Sequence, residues 1–252
     1  MPGTFISLEG ADGCGKSTQA ELLVGRLREA GAEVVFVREP GGTRISERLR
    51  LVVLDPANAD IVDECELLLY EASRAQLVRE VVEPALARGA VVVCDRFADS
   101  TLAYQAGGRG LPESLVRSAN ALGTCGVAPD RTIVYDLDPE EAYARATASR
   151  ADRMEAEGLA FQERVRAAYL RLAAQEPARV RVVDASGSPD EVLARALAEL
   201  GDLGPGVGAD ATDAGADGPA GKTGPAGASG AASSADVPGE TCAPLSPAGG
   251  EG

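Results

Sequence analysis

Short runs of consecutive apolar residues alternate along this chain with longer stretches whose apolar residues recur every three or four positions. The runs are Thr4-Phe-Ile-Ser-Leu8, Glu33-Val-Val-Phe-Val37, Ala90-Val-Val-Val-Cys94, Arg131-Thr-Ile-Val-Tyr-Asp-Leu137 and Val180-Arg-Val-Val183. Unbroken apolar runs of this length mark strands buried on both faces. The periodic stretches predict helices over 17–29, where Leu22, Leu23 and Leu27 share a face, and over 46–54. A longer helix is predicted over 63–87, with Leu67, Leu68, Ala72, Leu77, Val81 and Val82 apolar, and another over 111–122. Pro139 opens a further helix at a first-turn position, where its missing N–H costs nothing. Helices over 159–175 and 189–200 complete the pattern. Strands alternating with helices imply an α/β fold, a parallel five-stranded sheet with helices on both faces. Ligands of such sheets bind beyond the carboxyl ends of the strands.

The first strand-to-helix junction, Gly10-Ala-Asp-Gly-Cys-Gly-Lys16-Ser17-Thr18, fits G-x-x-x-x-G-K-[ST], the phosphate-cradling P-loop. Strand, glycine-rich loop and helix together aim backbone N–H groups and a helix dipole at phosphate. Lysine occurs only at positions 16 and 222, although the chain carries 24 Lys and Arg. A chain that otherwise uses arginine keeps a compact ammonium where one must reach the β- and γ-phosphates. Asp95 ends the third apolar run, the placement of an acid that shares Mg²⁺ with Ser17, directly or through water. Arginines gather near strand ends and loops, at Arg38, Arg96 and Arg109 and again at Arg145, Arg150 and Arg153. Phosphoryl transfer needs such charge around the transferred oxygens. By pattern alone the chain is a P-loop phosphotransferase or a nucleotide hydrolase.

Composition narrows the partners. Of 252 residues, those from about Leu203 onward are Gly, Ala, Pro, Ser and Asp with almost no large apolar side chain. Such a segment cannot offset its ordering entropy, so a domain over 1–202 and a disordered low-complexity tail over 203–252 are expected. Formal charge is −15, and the tail's six acids against Lys222 leave −10 on the domain. That balance argues against nucleic acid as a partner. No apolar run is long enough for a membrane span and no signal peptide is visible. Five scattered cysteines without CxxC spacing read as reduced thiols of a cytoplasmic protein. With no histidine, any metal sits on oxygen ligands, which points to Mg²⁺.

Several segments resemble bacterial thymidylate kinases (dTMP kinases). They are Arg38-Glu-Pro-Gly-Gly-Thr43, Leu68-Leu-Tyr-Glu-Ala-Ser-Arg74, Asp95-Arg-Phe-Ala-Asp-Ser-Thr-Leu-Ala-Tyr-Gln105, Gly108-Arg-Gly110, Asp152-Arg-Met-Glu155 and Phe161-Gln-Glu-Arg-Val-Arg-Ala-Ala-Tyr169. They occur in the family's order across residues 1–200. The resemblance implies a P-loop domain that transfers phosphate from Mg²⁺-ATP to dTMP, giving dTDP for the dTTP needed in DNA synthesis. It implies ATP on Gly10, Ala11, Asp12, Gly13, Cys14, Gly15, Lys16, Ser17 and Thr18, with metal at Ser17 and Asp95. For dTMP it implies Tyr70 stacked on thymine, Arg74 at a thymine carbonyl, and Thr101 and Gln105 at the base edge. Tyr104 falls against the sugar, Arg50 and Arg96 hold the acceptor phosphate with Arg38 beside them, and Ser100 is a further dTMP contact.

Asp12 and Glu39 match acids near the metal and sugar. The catalytic set is thus Lys16, Arg96, Arg150, Arg153, Asp12 and Glu39. Some relatives carry an arginine inside the P-loop; here Ala11, Asp12, Gly13 and Cys14 stand there, so the charge is expected from a lid over about 145–157. Arg150 is the first choice and Arg145 the alternative. The resemblance also implies a homodimer formed through helices beside the sheet. Two rival readings remain, a kinase for another monophosphate or deoxynucleoside and a nucleotide-switched binding protein.

Overall fold

The computed structural model describes residues 3–147, 153–204 and 207, all within the first of two compact units, residues 1–217. Five strands, β1 (Thr4–Glu9), β2 (Val34–Arg38), β3 (Val91–Asp95), β4 (Arg131–Asp136) and β5 (Val180–Asp184), form one parallel sheet in the order β2-β3-β1-β4-β5. Register brings three strand ends together, because both Leu8 and Arg38 pair with Asp95. Loops leaving β1, β2 and β3 therefore open at one place.

Side chains of the strands alternate between two cores. Ile6, Leu8, Val91, Val93, Ile133 and Tyr135 face α1 (Lys16–Glu29) and α9 (Pro189–Ala198), packing with Leu23, Leu27, Val192 and Leu200. On the other face, Phe5, Val92 and Cys94 pack against α3 (Asp63–Leu77) and α4 (Glu83–Ala87) through Leu77, Val78, Val82 and Ala85. Beside them, Val134 and Val180 pack against α5 (Ala98–Thr101) with its continuation, and against α8 (Leu159–Gln175). Three helices, α2 (Arg44–Leu54), α6 (Glu113–Gly123) and α7 (Pro139–Ala146), fill the remaining connections.

The helix predicted over 63–87 is continuous but widens into a π-helical turn over Val78–Val82 between α3 and α4. Pro84 follows within one turn; it has no N–H to donate and its ring crowds the carbonyl four residues earlier, which the wider turn relieves. One helix escapes the periodic reading, α5 with its π-helical extension Leu102–Gly108. Leu203 and Val207 pack onto the α1–α9 core, so buried residues run past the boundary expected at 202. Apart from residues 203, 204 and 207, the expected tail lies outside the described residues. Among the described residues, no helix is long and apolar enough to cross a membrane.

Candidate active site

The P-loop leaves β1 at Glu9 and turns into α1 through backbone that side chains resist. Gly10 has φ 140° and Gly13 φ 80°, and a Cβ on Gly13 would stand 2.0 Å from the Ala142 carbonyl oxygen. Among the described α-helices a side-chain cap closes three, Thr43 on α2, Asp138 on α7 and Ser188 with Glu191 as a capping box on α9, while α3, α4, α5, α6 and α8 have none. The P-loop helix α1 likewise begins at Gly15 with no side-chain cap, and it has no acid in its first turn. Its leading N–H groups and its dipole are thus left to an anion. Lys16 is buried, and its Nζ donates to the carbonyls of Gly10 (3.1 Å) and Ala11 (3.0 Å), 3.8 Å from Cys14 Sγ. The ammonium is folded over the loop that its N–H groups line.

A cavity of about 420 Å³ extends from this loop across the ends of β2 and β3 to α3 and α5. Of the residues anticipated from sequence, Asp12, Gly13, Gly15, Lys16, Ser17, Thr18, Arg38, Glu39, Arg50, Tyr70, Arg74, Asp95, Arg96, Ser100, Thr101, Tyr104 and Gln105 line it. Gly10, Ala11 and Cys14 belong to the loop but face away, Cys14 packing into the core beneath it. Pro40, Leu54, Met154 and Glu155 complete the wall.

Arg96 stands between the two ends of the cavity. Its backbone is left-handed, φ 72°, a strained setting for a side chain with a Cβ. Its Nη2 donates to Asp12 at 2.5 Å and to the Tyr104 hydroxyl at 3.0 Å, and its Nη1 to Gly10 O at 3.1 Å and Ser100 at 3.2 Å. The guanidinium also lies over the Tyr104 ring, 4.8 Å from its centre. Tyr104 in turn donates to Asp12 at 2.9 Å. Burial alone would push the Asp12 carboxyl up, but Arg96 and Lys16 beside it outweigh that and hold it below its usual range. On the opposite wall Arg38 and Arg50 both donate to the Pro40 carbonyl, at 3.0 and 2.9 Å, so two more guanidinium groups converge there.

Ser17 Oγ lies 3.4 Å from Asp95 Oδ2, while Asp95 Oδ1 is buried without a hydrogen-bond partner. An orphaned carboxylate oxygen beside a hydroxyl, at the foot of a phosphate cradle, fits an oxygen-preferring cation that takes its other ligands from phosphates and water. Next to it sits Glu39. One of its oxygens accepts from Arg74 Nε at 2.7 Å and the other has no partner. Burial raises the Glu39 carboxyl to about 7 against the lowering pull of Arg74, with the nearby Glu71 and Glu9 adding to the rise.

Two expectations for the lid are answered differently. Arg150 lies outside the described residues. Arg153 does not line the cavity: its Nη2 donates to the buried Glu66 at 2.5 Å and its Nε to the Val53 carbonyl at 2.8 Å. In this arrangement the Arg153 guanidinium is held by Glu66 and the Val53 carbonyl rather than turned toward the P-loop. Arg145 is paired with Glu141 on α7.

Sequence reasoning assigned no role to the residues behind the wall. Glu9 is buried and accepts from Ser7, Ser100, Tyr169 and the Phe97 N–H, which position the Arg96–Ser100 segment. Burial and the nearby Asp99 push its carboxyl up. Gln162 donates to Asp12 at 3.0 Å. The signal for Glu9 was an acid closing an apolar strand, and both Glu71 and Gln162 stood inside the segments quoted for the resemblance.

A phosphate-cradling loop on the first strand of a parallel sheet, with an acid at the end of a neighbouring strand, defines a P-loop nucleotide-binding α/β protein. Comparison with known proteins narrows the class. The thymidylate kinase family model matches residues 8–196. The thymidylate kinase of Trichlorobacter lovleyi is 48% identical over 195 residues, covering 75% of this chain and 92% of that one. That of Pseudomonas putida is 50% identical over 193 residues, covering 76% and 92%. A crystal structure of thymidylate kinase from Ehrlichia chaffeensis superposes with a TM-score of 0.60 at 34% identity, covering 73% of this chain and 93% of that one. The chain belongs to the thymidylate kinase family.

Proposed function

We propose that the chain transfers the γ-phosphoryl group of ATP to dTMP, giving dTDP and ADP and feeding the supply of dTTP for DNA synthesis. The observation that carries this reading is one continuous cavity lined by the phosphate cradle, by Arg96, and by Tyr70, Arg74, Thr101 and Gln105. Membership of the family supports thymine as the base.

In this reading the P-loop N–H groups and Lys16 hold the donor phosphates, and Arg38, Arg50 and Arg96 with Ser100 hold the acceptor phosphate. Tyr70 stacks on the base, Arg74 donates to a carbonyl, and Thr101 and Gln105 meet the ring edge. Tyr104 and Asp12, bonded to each other, occupy the sugar side, with Glu39 near them. Ser17 and Asp95 would hold Mg²⁺, which when bound neutralises charge on the phosphate oxygens. An acceptor oxygen attacks the γ-phosphorus in line as its bond to the β–γ bridging oxygen breaks. The attacking oxygen is already anionic, so the residues act by positioning and by fixed positive charge rather than by proton removal.

The homodimer and the cytoplasmic setting draw on the surface and on the cysteines. Leu68 on α3 and Leu122 on α6 are 63% and 78% exposed on helices beside the sheet, which favours pairing of two copies there. Cys14, Cys65, Cys94 and Cys125 are all free thiols, in keeping with a reducing cytoplasmic setting.

The test is ADP release from Mg²⁺-ATP with dTMP, dUMP, dCMP, dAMP, dGMP or thymidine as sole acceptor. Release strongly favouring dTMP is expected. Preference for another acceptor would discard the base assignment, and slow release indifferent to all of them would discard the kinase.

A further inference from the structure

Behind the base end of the cavity stand two carboxylates that do not line it. Glu66 is fully buried on α3 and accepts from Gln105 Nε2 at 2.9 Å, from Arg109 at 2.9 and 3.2 Å, and from Arg153 at 2.5 Å. Glu71, buried on the same helix, accepts from Thr101 Oγ1 at 3.2 Å and from Arg74 Nη1 at 2.5 Å. Burial would push the Glu66 carboxyl up, but Arg109, Gln105 and Arg153 outweigh it and hold it low, so it stays charged.

An ionised carboxylate can only accept hydrogen bonds. An amide that faces one must turn its NH₂ toward it, and a hydroxyl must spend its only proton on it. With Glu66 behind it, Gln105 is left showing its carbonyl oxygen to the cavity. With Glu71 behind it, Thr101 is left showing lone pairs. Arg74 has five N–H donors; four go to Glu39, Glu71, Asn120 and the Phe97 carbonyl, which leaves one. The base end thus offers acceptors from α5 and a single donor from α3.

We propose that Glu66 and Glu71, without touching substrate, fix the direction of the hydrogen bonds that Gln105 and Thr101 offer, so that the pocket takes pyrimidines carrying N3–H and rejects those with a bare N3. Thymine pairs a donor at N3 with an acceptor at O4, whereas cytosine presents an acceptor at N3 beside an amino donor. Reversal of one buried amide would reverse the preference at that contact, since an unpaired polar group in a closed site is costly. The inference rests on dTMP as acceptor, and it names positioning residues rather than new contacts.

Glu66→Gln tests it. Its carbonyl still accepts from Arg109 Nη2 and Arg153 Nη2 while the 3.2 Å bond from Arg109 Nε is lost, and its NH₂ now faces Gln105, which must flip and show its own NH₂ to the base. The ratio of kcat/KM for dTMP over dCMP is expected to fall at least about tenfold, mostly through KM for dTMP, with kcat at saturating dTMP little changed. The exchanged pair Glu66→Gln/Gln105→Glu keeps the buried charge and again shows an acceptor to the base, so it is expected to restore the ratio. A purely structural Glu66 predicts no such rescue. An unchanged ratio in a folded Glu66→Gln, or a double variant no better than the single, overturns the proposal. Should Glu66→Gln fail to fold, Glu71→Gln asks the same of Thr101: a fall in the ratio supports the proposal and an unchanged ratio overturns it. Failure of the dTMP assignment itself would show in the unmodified protein, as the absence of any dTMP preference.

Discussion

The two ends of the cavity are built on opposite principles. At the phosphate end the binding groups are backbone N–H groups of a tight loop, the uncapped start of α1, and cations such as Lys16 and Arg38. Lys16 itself bonds only within its own loop, to the Gly10 and Ala11 carbonyls and beside Cys14. At the other end the hydrogen-bonding side chains lean on a buried network: Arg74 is 2% exposed between Glu39 and Glu71, and Gln105 is held by a Glu66 shared with two arginines. The difference follows from the ligands. A phosphate carries enough charge to be held by local dipoles and any nearby cation. A neutral base must be told apart by the direction of a few hydrogen bonds, and only buried, fully committed partners hold that direction.

The contrast predicts where a substitution shows its effect. Lys16→Met removes a cation whose hydrogen bonds go to the Gly10 and Ala11 carbonyls, and Arg96 still pairs with Asp12. Turnover is expected to fall roughly a thousandfold while the midpoint of thermal unfolding stays within a few degrees. A large loss of stability instead would mean that the two ends are built alike. Arg74→Met strands two buried carboxylates, so the loss should appear first in stability, by about 3–5 kcal/mol in urea denaturation. An Arg74→Met protein as stable as the parent, impaired only in KM for dTMP, would break the distinction from the other side.

Glu39 sits where the ends meet and gives a pH signature. Its folded value of about 7 lies above its ordinary 4.5. Between those values the folded chain holds a proton that the unfolded chain has released. Stability from this group is therefore fully present below pH 4.5, lost progressively as pH rises to 7, and flat above. The total is up to about 3 kcal/mol. Glu39→Gln removes the titration, so unfolding curves at pH 5 and pH 7.5 should shift less in the variant than in the parent. Equal shifts would mean that the Glu39–Arg74 pair keeps its charge across the range.

The same contrast explains what could be read from the chain alone. The P-loop, Lys16 and Asp95 were legible because their chemistry is contiguous or sits at a strand end, and α8 falls on the residues its periodicity marks. The α5 segment was not legible. Its inward face is Ser100, Thr101, Tyr104 and Gln105, polar because it lines the cavity, so it breaks the apolar period on which helix reading depends. Leu68 was grouped with the apolar residues of its helix, yet it stands 63% exposed. Arg153 looked like a member of a charge run, and nothing local shows that its partner is Glu66, 87 residues earlier. Glu9 and Glu66 likewise read as ordinary acids until the fold closes over them. Motifs record local chemistry, and buried networks are assembled from afar.

The smallest effect is expected where neither end reaches. Val207 is 1% exposed and packs with Leu203 on the α1–α9 core, on the side of the sheet away from the base pocket. A chain ending at residue 208 keeps both, as well as the Arg131–Asp202 ion pair. It should match the parent in turnover and in thermal midpoint. A chain ending at residue 202 keeps the ion pair but exposes the core under Leu203 and Val207. It should lose about 1–3 kcal/mol of stability with kcat unchanged, because neither Leu203 nor Val207 lines the cavity. Loss of turnover on cutting at 208 would give the acidic, glycine- and alanine-rich segment a part in the reaction. Loss only on cutting at 202 would place the working boundary of the domain at Val207.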